Sequence, residues 1–130
     1  MTTIERIEGA DWGPPEPDST FLVRRCTELR RKPLTQFTVE DLRIMLGQQI
    51  AVPILLPLAV EVLARDPLAE SDFYPGDLLG SVLRLPAAAW STMPQERQRL
   101  TAAVTAMDLD EADLPQDVRD AVVSVRQASA

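Results

Sequence analysis

The chain has 130 residues, 45% hydrophobic and 25% charged, which is the composition of one folded domain and excludes a wholly disordered chain. Its 20 acidic and 13 basic residues give a net charge of −7, so binding to a phosphate backbone is disfavoured and basic partners are favoured. The lack of histidine and the single cysteine, Cys26, exclude Ser-His-Asp and Cys-His catalytic sites, zinc sites built from Cys and His, and an internal disulfide.

Residues 1–18 are predicted to form an extended lead-in, because "GPPEPD" places prolines at positions 14, 15 and 17. Trp12 is expected to anchor this segment, and residues 19–130 are expected to form a helical domain. The N-terminus has no basic start followed by an apolar run, and the apolar stretch at residues 50–64 is too short to span a bilayer. We therefore expect a cytoplasmic protein.

The first helix of this domain is predicted from Ser19 to Pro33, with Leu22, Cys26 and Leu29 on its buried face. Buried cysteines usually act as small hydrophobic residues, so Cys26 is assigned to the core. The helix also carries a basic strip, which either binds nucleic acid or complements the helix dipole at its C-terminal end. We favour the second interpretation. The strip comprises Arg24, Arg25, Arg30, Arg31 and Lys32.

The stretch "QFTVEDLRIMLGQQI" has a well-formed helix start. Thr38 is predicted as the N-cap, with Asp41 completing a capping box and Phe37 and Leu42 forming a hydrophobic staple. Gly47 interrupts the helical pattern at a cost of about 1 kcal/mol relative to Ala, which predicts close packing at this position.

The next helix, "PILLPLAVEVLARDP", is apolar nearly all round and is predicted to be central, with Pro53 in its first turn and a bend at Pro57. After the loop "DPLAESDFYP", a short helix is predicted from Gly76 and Asp77 to about Arg84. A turn containing Trp90 follows.

A further helix is predicted around Pro94, and a last one from about Pro115 with Val118, Val122 and Val125 on one face. No window shows a convincing period-2 alternation. The predicted fold is all-α: a single compact bundle of about six helices with an extended, proline-rich N-terminal lead-in.

Asp77, between Pro-Gly and Leu-Leu in "YPGDLL", has three possible roles: helix N-cap, partner contact or catalysis. The cap is favoured, because Asp is a preferred N-cap residue. The acidic run "DLDEADLPQD" at residues 108–117 lacks the spacing of a calcium loop and is interpreted as a solvated loop. We therefore expect no catalytic residue, no metal site and no cofactor.

Several segments in this order resemble the immunity proteins of bacterial contact-dependent growth inhibition (CDI) systems. They are "DWGPPEPDST", "CTELRRKPLTQFTVEDLRIMLGQQI", "LLPLAVEVLARDPLAESDFYPGDLL" and the later Trp90. The resemblance implies a cytosolic antidote that binds and blocks a delivered toxin domain, often a nuclease with a basic cleft. From the net charge and the short apolar stretch we expect neither nucleic acid nor a membrane as a partner, and the sequence leaves the oligomeric state open.

An acidic loop could then face that basic cleft, and aromatic residues are enriched in binding hot spots. The candidate contact residues are Glu70, Asp72, Tyr74 and Asp77. Two other hypotheses stay open: a small helical adaptor that binds an endogenous basic protein, and an acid–base enzyme built on Asp and Glu.

Overall fold

The structure is a computed structural model that describes residues 2–9, 13, 20–71, 74–109 and 114–128. The predicted all-α bundle is confirmed, with seven α-helices within these residues against about six predicted. The helices are α1 (Ile4–Glu8), α2 (Phe21–Arg30), α3 (Val39–Gly47), α4 (Val52–Arg65), α5 (Asp77–Leu83), α6 (Pro94–Thr105) and α7 (Gln116–Ala128). Two short 3₁₀ helices, Leu34–Gln36 and Ala87–Trp90, lie between them.

The helix starts follow from local sequence signals. The predicted capping box is confirmed: the Asp41 N–H donates to Thr38 Oγ1 at 3.1 Å, and the Thr38 N–H donates to Asp41 Oδ2 at 3.0 Å. Prolines stand in the first turns of α4 and α6, where no intrahelical N–H is needed. α4 continues through Pro57 without a break, as predicted.

The extended conformation predicted for the start of the chain is wrong for residues 4–8, which form α1. Thr3 caps this helix by accepting the Arg6 N–H at 3.2 Å, and Ile4 is fully buried in the core. The Leu34 N–H also donates to the Thr2 carbonyl at 2.9 Å. This segment is ordered by tertiary contacts. Trp12 and the prolines at positions 14–17 lie outside the described residues.

The core is built around α4, as predicted from its apolar sequence. Five of its side chains are buried: Leu55, Leu56, Ala59, Val60 and Leu63. α4 packs against α3, α5 and α6, and α7 packs against α5 and α6. Cys26 lies in this core as predicted, and burial raises the pKa of its thiol.

The close packing predicted at Gly47 is absent. Gly47 is exposed, and the nearest atom that a Cβ there would meet is Ser81 Oγ at 4.0 Å. A Cβ would fit at this position, so close packing is not the reason for the glycine.

A second, smaller apolar cluster lies beside the main core. Its buried residues are Leu114 and Val118. Four partly buried side chains pack against them: Leu68, Tyr74, Met107 and Leu109. This cluster joins the loop after α4 to the loop after α6, and so brings the predicted contact loop next to the C-terminal helices.

Candidate functional site

The loop between α4 and α5 carries the candidate contact residues, and Asp77 fixes its conformation. The side chain of Asp77 is only 2% exposed. Its Oδ1 accepts the Ser71 N–H at 2.9 Å, and its Oδ2 accepts the Ser71 hydroxyl. Arg43 Nε lies 3.8 Å from Asp77 Oδ2 and donates to Ser71 Oγ at 2.8 Å. The carboxylate therefore ties the loop to α3 and α5.

The predicted N-cap role of Asp77 is wrong. The cap residue of α5 is Gly76, in the left-handed conformation with φ of 91°, and Asp77 is the first helical residue. The left-handed backbone favours glycine at this position, and a Cβ there would lie 2.6 Å from Leu114 Cδ2, so the Leu114 side chain would have to shift. Gly76 occupies the cap position, and the Asp77 carboxylate instead accepts hydrogen bonds from Ser71, six positions earlier.

Tyr74 is half-buried in the smaller apolar cluster. Its hydroxyl oxygen lies 3.3 Å from where a Cβ on Gly80 would stand, and Arg84 Nη1 lies 3.8 Å from the same point. Arg84 also donates to Asp117 Oδ2 at 2.6 Å, and this hydrogen bond raises the pKa of Arg84 and lowers the pKa of Asp117. Tyr74 thus links the contact loop to α5 and α7 while keeping part of its ring accessible.

Glu70 is exposed, and its backbone forms a bridge with Pro75 that closes the loop. Asp66, at the start of the loop, accepts the Leu68 N–H on its Oδ1 at 3.1 Å. Neither Glu70 nor Asp66 forms an ion pair with a Lys or Arg among the described residues. Asp72 lies outside the part of the chain that the structure describes.

A groove of about 520 Å³ opens beside this loop, between the C-terminal ends of α4 and α6. It falls within the range of about 300–1,000 Å³ that is usual for binding pockets. Most of its lining is apolar and two carboxylates join it: Ala64, Asp66, Pro67, Leu68, Ala103, Ala106, Met107 and Asp108. Leu68 and Met107 also belong to the cluster that holds Tyr74, so the contact loop and the groove form one continuous surface. We call it the loop–groove face.

Two arginines of α7 hold one wall of the groove by binding backbone carbonyls. Arg126 Nε and Nη2 donate to the Val104 carbonyl at 3.2 and 3.1 Å, and Nη2 also donates to the Met107 carbonyl. Arg119 Nη1 donates to the Leu109 carbonyl at 2.7 Å. These hydrogen bonds satisfy carbonyls at the C-terminal end of α6, where the helix itself supplies no donors.

The basic strip of α2 is turned toward the carboxylates of the chain itself. Asp41, 1% exposed, receives Arg25 Nη2 at 3.0 Å and Lys32 Nζ at 2.6 Å. Arg25 also pairs with Glu28 at 3.4 Å, Arg30 with Glu8 at 2.5 Å and Arg31 with Glu5 at 3.1 Å. These pairs fasten α1 and α3 to α2. The cations serve the fold, which neither interpretation of the strip anticipated.

An exposed apolar patch lies at the start of α2. Phe21 is 81% exposed, and Leu22, Val23 and Ile7 are also exposed. Leu22, predicted to be buried, is therefore on the surface. Arg6 and Arg24 are exposed near these residues in the sequence, so the patch lies in a region that carries basic charge.

Within the described residues, no cluster of three or more His, Cys, Asp or Glu side chains is arranged to hold a metal ion. No helix in that part of the chain has the length and apolar character needed to cross a membrane.

Comparison with models of known protein families identifies the family of this chain. A model of the CDI immunity proteins matches residues 6–100, which is most of the chain. This protein belongs to the CDI immunity protein family. A search of curated proteins found no match. Family membership implies neutralisation of a CDI toxin by binding it, and members of the family are generally not enzymes. The match favours the immunity hypothesis over the adaptor and the carboxylate enzyme.

The match ends inside α6, before the groove wall formed by residues 103–108. One wall of the groove thus lies in the part that the family shares, and the other lies outside it. The resemblance seen in the sequence indicated the loop but not the groove, because the groove exists only where α4 and α6 pack together. In the sequence, the groove could have been indicated only by the small residues at positions 64, 103 and 106, which are all alanine.

Proposed function

We propose that this immunity protein neutralises its cognate CDI toxin in the cytoplasm by docking the loop–groove face on a basic surface of the toxin. The toxin domain that fits best is a nuclease, because a cleft that holds a phosphate backbone must be basic. One observation carries the proposal: the basic side chains of the chain are largely engaged by its own carboxylates, whereas Asp66 and Glu70 on this face have no basic partner among the described residues.

The ion pairs support this distribution of charge. Of the 13 basic residues, these seven form ion pairs with carboxylates among the described residues: Arg25, Arg30, Arg31, Lys32, Arg43, Arg65 and Arg84. Arg119 and Arg126 bind backbone carbonyls instead. With a net charge of −7, the chain attracts a basic partner and raises the rate of their encounter.

Within this face, Glu70 supplies charge, and Tyr74 supplies an aromatic anchor that packs against Leu114 and Val118. Asp72, which lies outside the described residues, is proposed as a further contact from the sequence alone. Asp77 acts differently, because its side chain is buried. It holds the loop in the conformation that presents Glu70 and Tyr74. A loop that is ordered before binding loses less conformational entropy on association.

We propose further that inhibition needs neither catalysis nor a cofactor, and that residues 19–130, with α1 docked on α2, act as one toxin-binding domain. A stable complex should bury about 800 Å² on each partner. The loop and the groove together offer a contact region shaped by α4, α5 and α6.

The test is co-expression of this chain with the toxin domain from the neighbouring open reading frame, scored by growth and by co-elution on size exclusion. We expect the wild type to restore growth and Glu70→Lys to weaken rescue, because the substitution places a cation against a basic surface. Glu28→Lys, on the exposed side of α2, is the matched control and should rescue fully. Failure of the wild type both to rescue growth and to form a complex would refute the proposal for that pair.

A further inference from the structure

We propose that the groove between α4 and α6 receives an arginine or lysine side chain of the toxin and is a specificity-determining subsite of the interface. This inference rests on the proposed function and goes beyond it by naming the occupant and its position. The subsite is defined by three small residues, Ala64, Ala103 and Ala106, and by two carboxylates, Asp66 and Asp108.

The groove suits the stem of a long basic side chain. The three alanines leave the groove open where α4 and α6 pack together, because larger side chains at these positions would fill it, and Met107 supplies an adaptable wall. Arginine and lysine bury their methylene stems along apolar surface while the charged end remains near water or an anion. The largely apolar lining of the groove therefore suits the stem.

The two carboxylates suit the charged end. Asp66 and Asp108 belong to opposite walls of the same groove, one following α4 and the other following α6. Arginine is the better fit, because its planar guanidinium offers five donors to acceptors on both sides, whereas lysine offers a single compact charge. A second copy of this chain is disfavoured as occupant, because it also carries a net charge of −7.

Both walls are held in place before binding. The Asp66 carboxylate accepts the Leu68 N–H, which fixes the turn after α4. Arg126 binds the Val104 and Met107 carbonyls, which fixes the end of α6 beside Asp108. Such preorganisation lowers the cost of seating a side chain. The α6 wall, residues 103–108, lies beyond residues 6–100, which the family model matches.

The experiment measures the dissociation constant of the same toxin domain, carried as an inactive variant, for two groove variants. In the first, Asp66→Asn and Asp108→Asn are combined, which removes charge but keeps an acceptor for Leu68. We expect binding weaker by about tenfold or more, and a shallower dependence on salt. In the second, Ala106→Trp fills the groove, and we expect a loss of at least about tenfold.

Two matched controls separate the groove from general effects. Ala102→Trp is exposed on α6 outside the groove, and Glu28→Gln removes a charge on α2. Both should change binding by less than about twofold. Thermal melts check that each variant is folded, and Ala64→Trp replaces Ala106→Trp if the latter does not fold.

The outcomes distinguish the two proposals. If the wild type binds no toxin, the proposed function fails. If the wild type binds and the folded groove variants bind equally well, only the groove proposal is overturned. Loss of binding in Phe21→Ser with none in the groove variants would place the interface on the apolar patch of α2 and would also overturn it.

Discussion

Asp41 is a buried carboxylate on which the N-terminal half of the bundle depends. Burial acts to raise its pKa, but the hydrogen bonds from Lys32 and Thr38 and the nearby charges of Lys32 and Arg25 outweigh burial and lower the pKa. A carboxyl whose pKa is lower in the folded than in the unfolded state stabilises the fold above its unfolded pKa of about 3.9. That contribution is lost as the pH falls through the folded-state pKa.

Asp41→Asn should therefore lower the free energy of unfolding at neutral pH by about 1–3 kcal/mol, because the charge that receives Arg25 and Lys32 is removed. The difference from the wild type should shrink as the pH falls below about 4, where the unfolded chain takes up a proton on this carboxyl, and should be smallest below the lowered pKa of the folded state. Urea unfolding across this pH range measures both effects, with Glu61→Gln, whose partner Arg65 is 78% exposed, as the control. An equal loss at every pH would contradict the assigned role of the charge.

Ser71 and Asp77 give a second prediction for single residues. Ser71→Ala removes the hydroxyl that donates to Asp77, and should cost about 1 kcal/mol of stability. Asp77→Ala removes the acceptor of both Ser71 donors and should cost more, about 1–3 kcal/mol. In each variant the amide of Ser71 should exchange faster with solvent relative to the core amides of α4. Unchanged exchange at this position would show that Asp77 does not hold the loop.

At the scale of helices, the two glycines at helix ends should respond in opposite ways to alanine. Gly76→Ala should destabilise the protein by at least about 1–2 kcal/mol, because of the left-handed backbone and the contact with Leu114. Gly47→Ala should stabilise it by up to about 1 kcal/mol, because α3 gains a better helix former at a position with space for a Cβ. Urea midpoints of the two variants compare them directly. If Gly76→Ala stabilised the protein, or if Gly47→Ala clearly destabilised it, the assigned backbone strain at Gly76 or the assigned space for a Cβ at Gly47 would be contradicted.

The helices could be predicted from sequence wherever the signal was local. Thr38 with Asp41, and the prolines that open α4 and α6, fixed helix starts through hydrogen bonds or backbone angles within one turn. The apolar stripes of α4 and α7 were long enough for their period to be recognised. These elements depend little on the rest of the molecule.

Features that depend on distant residues could not be predicted in this way. α1 has five residues, too few for a period, and it is held by Glu8 on Arg30, which lies 22 positions later. Asp77 looked like a cap because its bond to Ser71 depends on how the loop folds back. The groove required α4 and α6 to be adjacent, which no local pattern specifies.

For the whole molecule, the place where a partner docks depends more on how the charges are distributed than on the net charge. The basic residues of α2 are paired with carboxylates of α1 and α3, which strengthens the N-terminal half and neutralises its surface. Asp66 and Glu70 remain on the loop–groove face without such partners among the described residues. If the toxin is basic, as we propose, it is drawn to this face, and the attraction should weaken with increasing salt.

Hydrogen–deuterium exchange of this chain, with and without the bound toxin domain, tests this central claim most directly. The structure predicts new protection in residues 66–77 and 103–109, which form the loop–groove face, and little change in α2. Protection confined to residues 20–24, with the loop and the groove exchanging as they do in the unbound chain, would contradict it.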